Sequence, residues 1–446
     1  MAQDSSHPNP EAEVVELCRA LIQFDTSNTG DPQTSAPERP AAEWVAAQLA
    51  EVGIDSQLRE SVPGRASLVA RLPGTDPERG ALLVHGHLDV VPADPAEWSV
   101  PPFAGEVHDG FVWGRGAVDM KDFDAMVLAV VRHWARTGYQ PPRDIVLAFT
   151  ADEEAGGRYG AHFLVEQHPE LLAGCTEAIG EVGGYSFSVD GPAGAGTDQR
   201  LYLVQIAEKG IEWLRLTATG PPGHGSMLHD DNAVTTIAEA VARLGRHRFP
   251  VELTPAVTAF LTHASDALGV EWDRADPDAL IAKLGSIAPI IGATIRNTAN
   301  PTRLHAGYKE NVIPGQAWAT VDARSLPGRS EQLLAQVREL VGPEVTVEYV
   351  QHQPAVETTF DGPLVAAMGA ALRAEDPAAR AVPYLLSAGT DAKAFARLGV
   401  RCFGFAPLRL PPDLNFASLF HGVDERVPVE GLQFGVRVLD RFLRMS

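Results

Sequence analysis

The sequence predicts an α/β protein with a smaller α+β unit inserted in it. Three observations carry that expectation. Strand-like apolar runs alternate with amphipathic helical stretches from Glu11 to Thr150. The pattern changes after a run of small residues at 191–196 (GPAGAG). It returns to α/β-like material after about Pro354. A chain of 446 residues also exceeds what one ordinary core accommodates, which makes two domains the natural expectation.

Taken in order, residues 11–24 place Val14, Leu17, Cys18 and Leu21 on one helical face. A second helix follows Pro40, carries Trp44, Leu49 and Val52, and ends at Gly53. The apolar runs 67–72, 81–84 and 145–150 read as buried, near-continuous apolar strands of an α/β sheet. Between the last two, residues 123–136 read as a helix closed by Gly138. The segment 191–196 reads as a loop near a domain boundary. Beyond it come strands at 201–207 and 213–219, a helix at 232–244, a strand at 317–323, a helix at 331–340 and a strand at 345–350. That order suggests a small α+β sandwich. The stretch 246–291 contains helical pieces with no assigned place, and no internal repeat is present.

Lys plus Arg number 36 against 58 Asp plus Glu, a net charge of −22 with neutral His. Such an excess repels phosphates and anionic lipid, so neither nucleic acid nor membrane is expected as a partner. Cys18, Cys175 and Cys402 form no CxxC pair, which argues against a disulfide framework and fits a cytoplasmic location. No apolar run reaches the roughly 18–20 residues that span a bilayer. The polar, acidic N-terminus lacks the features of a secretory signal.

Residues able to carry chemistry gather in five places. In the first, the strand 81–84 runs into His85, His87 and Asp89, which share one side at period 2. Imidazole is a common zinc ligand, and a nearby carboxylate can accept its other N–H. A core histidine at a strand end is the plain alternative. In the second, a glycine-rich turn (GRGAVDMKD) brings Asp119 to the start of a helix, where Asp119 or Asp122 could equally be a cap. In the third, Asp152, Glu153 and Glu154 directly follow an apolar strand, where α/β proteins place their sites. Adjacent carboxylates repel unless a cation holds them. Glu181, in EVGG, and His421, in HGVDE, each follow a short apolar step and are weak signals alone. Together, two His and three carboxylates suit a pair of metal ions roughly 3.5–4 Å apart, with Asp119 as bridge.

The segments HGHLDVVP, GRGAVDMKD and TADEEAGG, in that order, resemble signatures of the M20 family of metallopeptidases and amidohydrolases. The likeness extends to HGVDERVPVE and so covers nearly the whole chain. It implies a zinc-peptidase-like α/β catalytic domain, residues 1–207 and 354–446, with an inserted two-layer α+β lid or dimerisation domain, residues 208–353. His87, Asp119 and Glu181 would hold one zinc, and Asp119, Glu154 and His421 the other. Cobalt or manganese could replace zinc. Glu153 would be the general base for a water shared by the two ions, Asp89 would hold His87, and a cis peptide would follow Asp119. His224, in GPPGHGS, resembles a residue that reaches the substrate carbonyl, in some members from the partner subunit. Asn300, Arg324, Gly389 and Thr390 match positions that contact or line the substrate site, with the Arg324 guanidinium taking the substrate's carboxylate. The segments 246–291 and 405–416 (FAPLRLPPDLNF) have no clear counterpart.

The expectation is therefore a di-zinc peptidase of dipeptidase or carboxypeptidase type, acting next to a free carboxylate, and homodimeric by analogy. An N-acyl-amino-acid amidohydrolase with the same machinery is the first alternative. A non-catalytic metal-binding or ligand-binding relative is the second, and the base Glu153 argues against it. Serine-hydrolase chemistry is not expected, because the chain has no GxSxG elbow.

Overall fold

The computed structural model describes residues 9–76, 78–189 and 199–446, so the loop expected at 191–196 lies outside the described residues. The larger sheet has ten strands among the described residues. At its centre Ile145–Thr150, Ala81–His87, Cys175–Gly180 and Arg401–Gly404 lie side by side and parallel. Arg65–Leu72 and Ser56–Val62 extend one edge antiparallel. Gln199–Glu208 extends the other and pairs parallel with Ala379–Leu386.

The continuous apolar run in Ala81–His87 has a simple cause: both faces of the sheet are covered. Leu82 and Val84 enter one core, and Ala81 and Leu83 enter another on the opposite face. The first core is closed by the helices Pro10–Ile22, Lys121–Thr137 and Val429–Met445. The second is closed by Ala161–Gln167 and Ala392–Ala396. Helix ends follow local chemistry. The Asn9 side chain accepts from the Glu11 amide at 3.1 Å, with Pro10 in the first turn. Gly138 closes Lys121–Thr137 with φ 67°, a left-handed cap that costs glycine little.

The inserted α+β unit is built on a separate antiparallel sheet ordered Thr298–Ala306, Gln316–Ser325, Gly210–Thr219, Val345–Gln353. The helices Ala233–Arg246 and Ser330–Val341 cover one face, with Ile237, Leu244 and Val337 against Leu214, Leu216 and Val321. Alternation leaves Trp213, Asp322 and Arg324 on the other face.

The unassigned stretch forms the helices Pro255–Leu268, Pro277–Ile281 and Ala288–Thr294. They pack on Ala379–Leu386 of the larger sheet, and Phe260, Leu261 and Leu284 join the main core. The chain thus leaves the small sheet, visits the larger body and returns. Two lysines tie the crossings together. Lys209 donates to the carbonyls of Ala293 and Arg296 at 3.1 and 2.9 Å and to the Thr298 hydroxyl at 3.0 Å. Lys393 donates to the carbonyls of Lys209 and Pro354 at 2.8 and 3.1 Å. No helix among the described residues is long and apolar enough to cross a membrane.

Candidate metal centre

The parallel strands deliver their polar residues to one end of the sheet, outside their C-terminal ends. His87 closes Ala81–His87, Glu153 and Glu154 follow Ile145–Thr150, and Glu181 follows Cys175–Gly180. Asp119 stands just before Lys121–Thr137, and the Asp119–Met120 peptide is cis, as the resemblance implied.

Asp119 lies between two histidines. Its Oδ1 is 3.0 Å from His87 Nε2 and its Oδ2 is 3.2 Å from His421 Nε2. Glu181 Oε2 is 3.6 Å from His87 Nε2, and Glu154 Oε2 is 3.1 Å from His421 Nε2. The five residues expected as ligands therefore converge, with Asp119 facing both halves. Glu153 lies there too: ligand atoms of His87, Glu153 and Glu181 fall within 4.8 Å of one another.

The electrostatics shows what such a cluster needs. Burial pushes Glu181 up to about 8. Burial and then the charge of Glu181 raise Glu153 well above the usual carboxylate range. Hydrogen bonds to Asp119 and Glu154 raise His421 to about 10. For His87, burial opposes protonation, but Glu181 and Asp119 outweigh it and hold the imidazole above its ordinary value. With only protons to balance the carboxylates, both histidines are held charged. Divalent cations would displace those protons and relieve the repulsion. Glu154 Oε1 is buried without a hydrogen-bond partner, as a ligand oxygen would be. The donor set of imidazole and carboxylate fits zinc, cobalt or manganese.

Asp89 differs from expectation. The N–H of His87 is placed for the Asp89 backbone carbonyl, 2.9 Å from Nδ1, while the carboxylate is 3.6 Å away. The carboxylate instead accepts the amides of Glu153 and Glu154, both at 3.1 Å, and the Asn28 amide at 2.8 Å. It orients the turn that carries both glutamates. His85, on the same side as His87, packs on Phe395 with ring centroids 4.9 Å apart and lies outside the cluster.

A cavity of about 370 Å³ opens over the cluster. Arg324 and Trp213 from the small sheet, Tyr185 and Phe420 from the larger body, and Gly389 and Thr390 line it. Arg324 is held by Asp322 through two hydrogen bonds, 2.6 and 3.1 Å. Thr390 turns its hydroxyl to Glu208 at 2.5 Å, so it shapes the wall. His224 and Asn300 are not brought to this cavity within the chain. His224 is exposed beyond the far end of Gly210–Thr219, and ten extended residues span about 33 Å. Asn300 is exposed on an edge strand.

Glu425 was not singled out in the sequence. It is fully buried and accepts from Arg115 at 2.7 Å and from the amides of Gly116, Val118 and Asp119 at 3.1, 2.6 and 3.1 Å. It thus cradles the turn that presents Asp119. Its only sequence signal is its position four residues after His421. Asp391, which follows Thr390, also lines the cavity, with its Oδ2 held by the Thr150 hydroxyl at 2.6 Å.

The chain is similar to known proteins over most of its length. The description of peptidase family M20/M25/M40 matches residues 83–445. Human aminoacylase-1 is 30% identical over 404 residues, covering 88% of this chain and 86% of the relative. The N-fatty-acyl-amino acid synthase/hydrolase PM20D1 of Xenopus tropicalis is 26% identical over 467 residues, covering 97% and 86%. Among solved structures, an M20 family metallo-carboxypeptidase from Sulfolobus solfataricus superposes with a TM-score of 0.72 at 17% identity, covering 97% and 99%. A profile match over most of the chain, on a fold that gathers histidines and carboxylates at one sheet end, places this protein in peptidase family M20/M25/M40, as a metal-dependent hydrolase of peptide or other amide bonds.

Proposed function

We propose that the chain cleaves an amide bond next to a free carboxylate, with Glu153 moving the proton. The observation that supports this most is Asp119, whose two oxygens face His87 and His421 on the floor of a cavity that also presents Arg324. His87, Asp119 and Glu181 would hold one divalent ion, and Asp119, Glu154 and His421 the other. When bound, such a pair lowers the pKa of water and polarises a carbonyl oxygen. Glu153 takes a proton from the attacking water and returns it to the leaving amine. Asp89 keeps Glu153 in place through its amide. Arg324 receives the substrate carboxylate, and Gly389 lets the wall come close.

Two forms of this reaction share the machinery. A dipeptide brings a free ammonium that calls for an anionic partner. The acidic residues among the described lining are the cluster itself and Asp391. Asp391 is then the group on which a choice between a dipeptide and an N-acyl amino acid would turn. We further take residues 208–353 as the inserted stretch, of which the helices of 255–294 pack on the larger body, and a homodimer as the working assembly, in which His224 of the partner subunit could reach the cavity.

The test combines elemental analysis with hydrolysis of dipeptides and N-acyl amino acids. About two ions per chain, activity lost to a chelator and activity restored by zinc, cobalt or manganese are the expected results. No metal, and no turnover after metal is added, would sink the reading. Arg324→Met is expected to raise KM about 10- to 100-fold with a smaller change in kcat, since it removes charge-assisted bonds made throughout the reaction. An unchanged KM would place the carboxylate elsewhere.

A further inference from the structure

Asp152 opens the acidic triplet but does not line the cavity. Its backbone is left-handed, with φ 67°, a region that residues other than glycine seldom adopt. The turn through Glu153 and Glu154 starts from it, so what holds Asp152 sets where both glutamates point. Its Oδ2 accepts the Tyr159 amide at 2.9 Å, and its Oδ1 accepts the side-chain amide of Asn28 at 3.2 Å. The same Asn28 nitrogen donates to Asp89 Oδ2 at 2.8 Å. Asp89 in turn accepts the Glu153 and Glu154 backbone amides. One NH2 group therefore meets both carboxylates that fix the turn. The other end of Asn28 is equally engaged. Its Oδ1 accepts from Arg65 Nη2 at 3.2 Å, from the Gly30 amide at 2.9 Å and from the Ser35 hydroxyl at 3.2 Å. Donors on one side and carboxylates on the other allow the side-chain amide a single orientation. Arg65 is paired with Glu38 in turn, and all five side chains, Asn28, Glu38, Arg65, Asp89 and Asp152, are buried.

We propose that Asn28 is a positioning residue for the reaction: its NH2 group locks the turn of Asp152 to Glu154, so that Glu153 stays aimed as the base and Glu154 as a ligand. The proposal rests on the roles given to those two glutamates. The residue type follows from the chemistry of the spot. Two carboxylates need two donated protons, and a primary amide supplies both without adding charge. A serine has one proton to give, and an ionised aspartate has none. Its carbonyl oxygen meanwhile meets the Arg65 guanidinium, so no donor there is left unpaired. The Asn28 backbone is held as well, its amide donating to the Val90 carbonyl at 2.8 Å, one residue beyond Asp89. Without the NH2 group, Asp89 and Asp152 face each other across a buried space, and like charges there repel. The turn relieves that repulsion by letting Asp152 leave its left-handed conformation, which carries Glu153 and Glu154 out of place.

The test compares the zinc-loaded parent with Asn28→Asp, which keeps the acceptor oxygen and replaces the donor, and with Ser35→Ala, which removes a contact from that oxygen only. Asn28→Asp is expected to lower kcat about 10- to 100-fold, with KM within about threefold of the parent. Competition with a chelating dye should show one of the two ions held about 10- to 100-fold more weakly. Hydrogen exchange read by mass spectrometry should quicken in residues 151–160 and stay unchanged in the helix Lys121–Thr137. Ser35→Ala should match the parent within about twofold in kcat. Should circular dichroism show Asn28→Asp unfolded, Asn28→Ser carries the same comparison with one donor left and a smaller fall. A folded Asn28 variant with parental kcat, metal affinity and exchange overturns the proposal, as does a rise in KM alone. An equal loss in Ser35→Ala overturns it too, because the effect then belongs to the loop and not to the NH2 group. A parent that turns over neither dipeptides nor N-acyl amino acids overturns the function instead, and metal affinity and exchange then judge the turn by themselves.

Discussion

Glu153→Gln is expected to lower kcat by about 10²- to 10⁴-fold while metal content and melting temperature stay near those of the parent. Glutamine keeps the size and hydrogen-bonding capacity of the side chain but cannot take up a proton. The Glu153 amide bond to Asp89 is unaffected by the substitution, so the turn that also carries Glu154 is kept. The competing outcome is physically available, because Glu153 lies within 4.8 Å of His87 and Glu181 ligand atoms. If elemental analysis shows one ion lost, Glu153 is a ligand and the base must be sought elsewhere. Unchanged kcat at saturating substrate would falsify the proton-transfer role outright.

Glu425→Ala is expected to cost about 3–5 kcal/mol in stability, measured by urea unfolding, and to lower metal content at limiting metal. The size follows from what is stranded. Arg115 loses its partner in a buried setting, 4% exposed, and three backbone amides lose their acceptor. The Asp119 amide is one of them, so the loss reaches the residue that faces both metal positions. Burial pushes Glu425 up to about 7 despite Arg115. Even its neutral form would keep the shape of the cradle, which alanine does not. A variant as stable as the parent, with full metal content, would mean that the turn holds itself.

Much of the site was legible because its residues stand where apolar runs stop. His87, Glu153 and Glu154 each follow a strand that sequence alone marks as buried, and Glu181 follows a shorter apolar step. Glu425 was not, since a glutamate between Asp424 and Arg426 looks like any surface charge. Its partners are more than 300 residues away in sequence. Strands were read short for a related reason. The run 201–207 omits Gln199, Arg200 and Glu208, whose polar side chains conceal that their backbones belong to the ladder. The helices of 255–294 show an apolar face without saying which core receives it, and the core that does belongs to the larger sheet. His224 sits in a recognisable motif, but its distance from the metal cluster depends on the length of Gly210–Thr219, which a motif does not encode.

Lys393, bonded to the carbonyls of both Lys209 and Pro354, pins the first and last of the chain segments that pass between the units to one ammonium. Mechanically that makes a fulcrum. Arg324 pairs in register with Ile211, next to it, whereas His224 stands at the end of a lever of about 33 Å. A 10° turn of the small sheet about that point, taken as an estimate, would sweep His224 through roughly 6 Å and leave Arg324 almost where it was. The carboxylate contact proposed for Arg324 would thus be insulated from rotation, while whatever the far end touches would be governed by it.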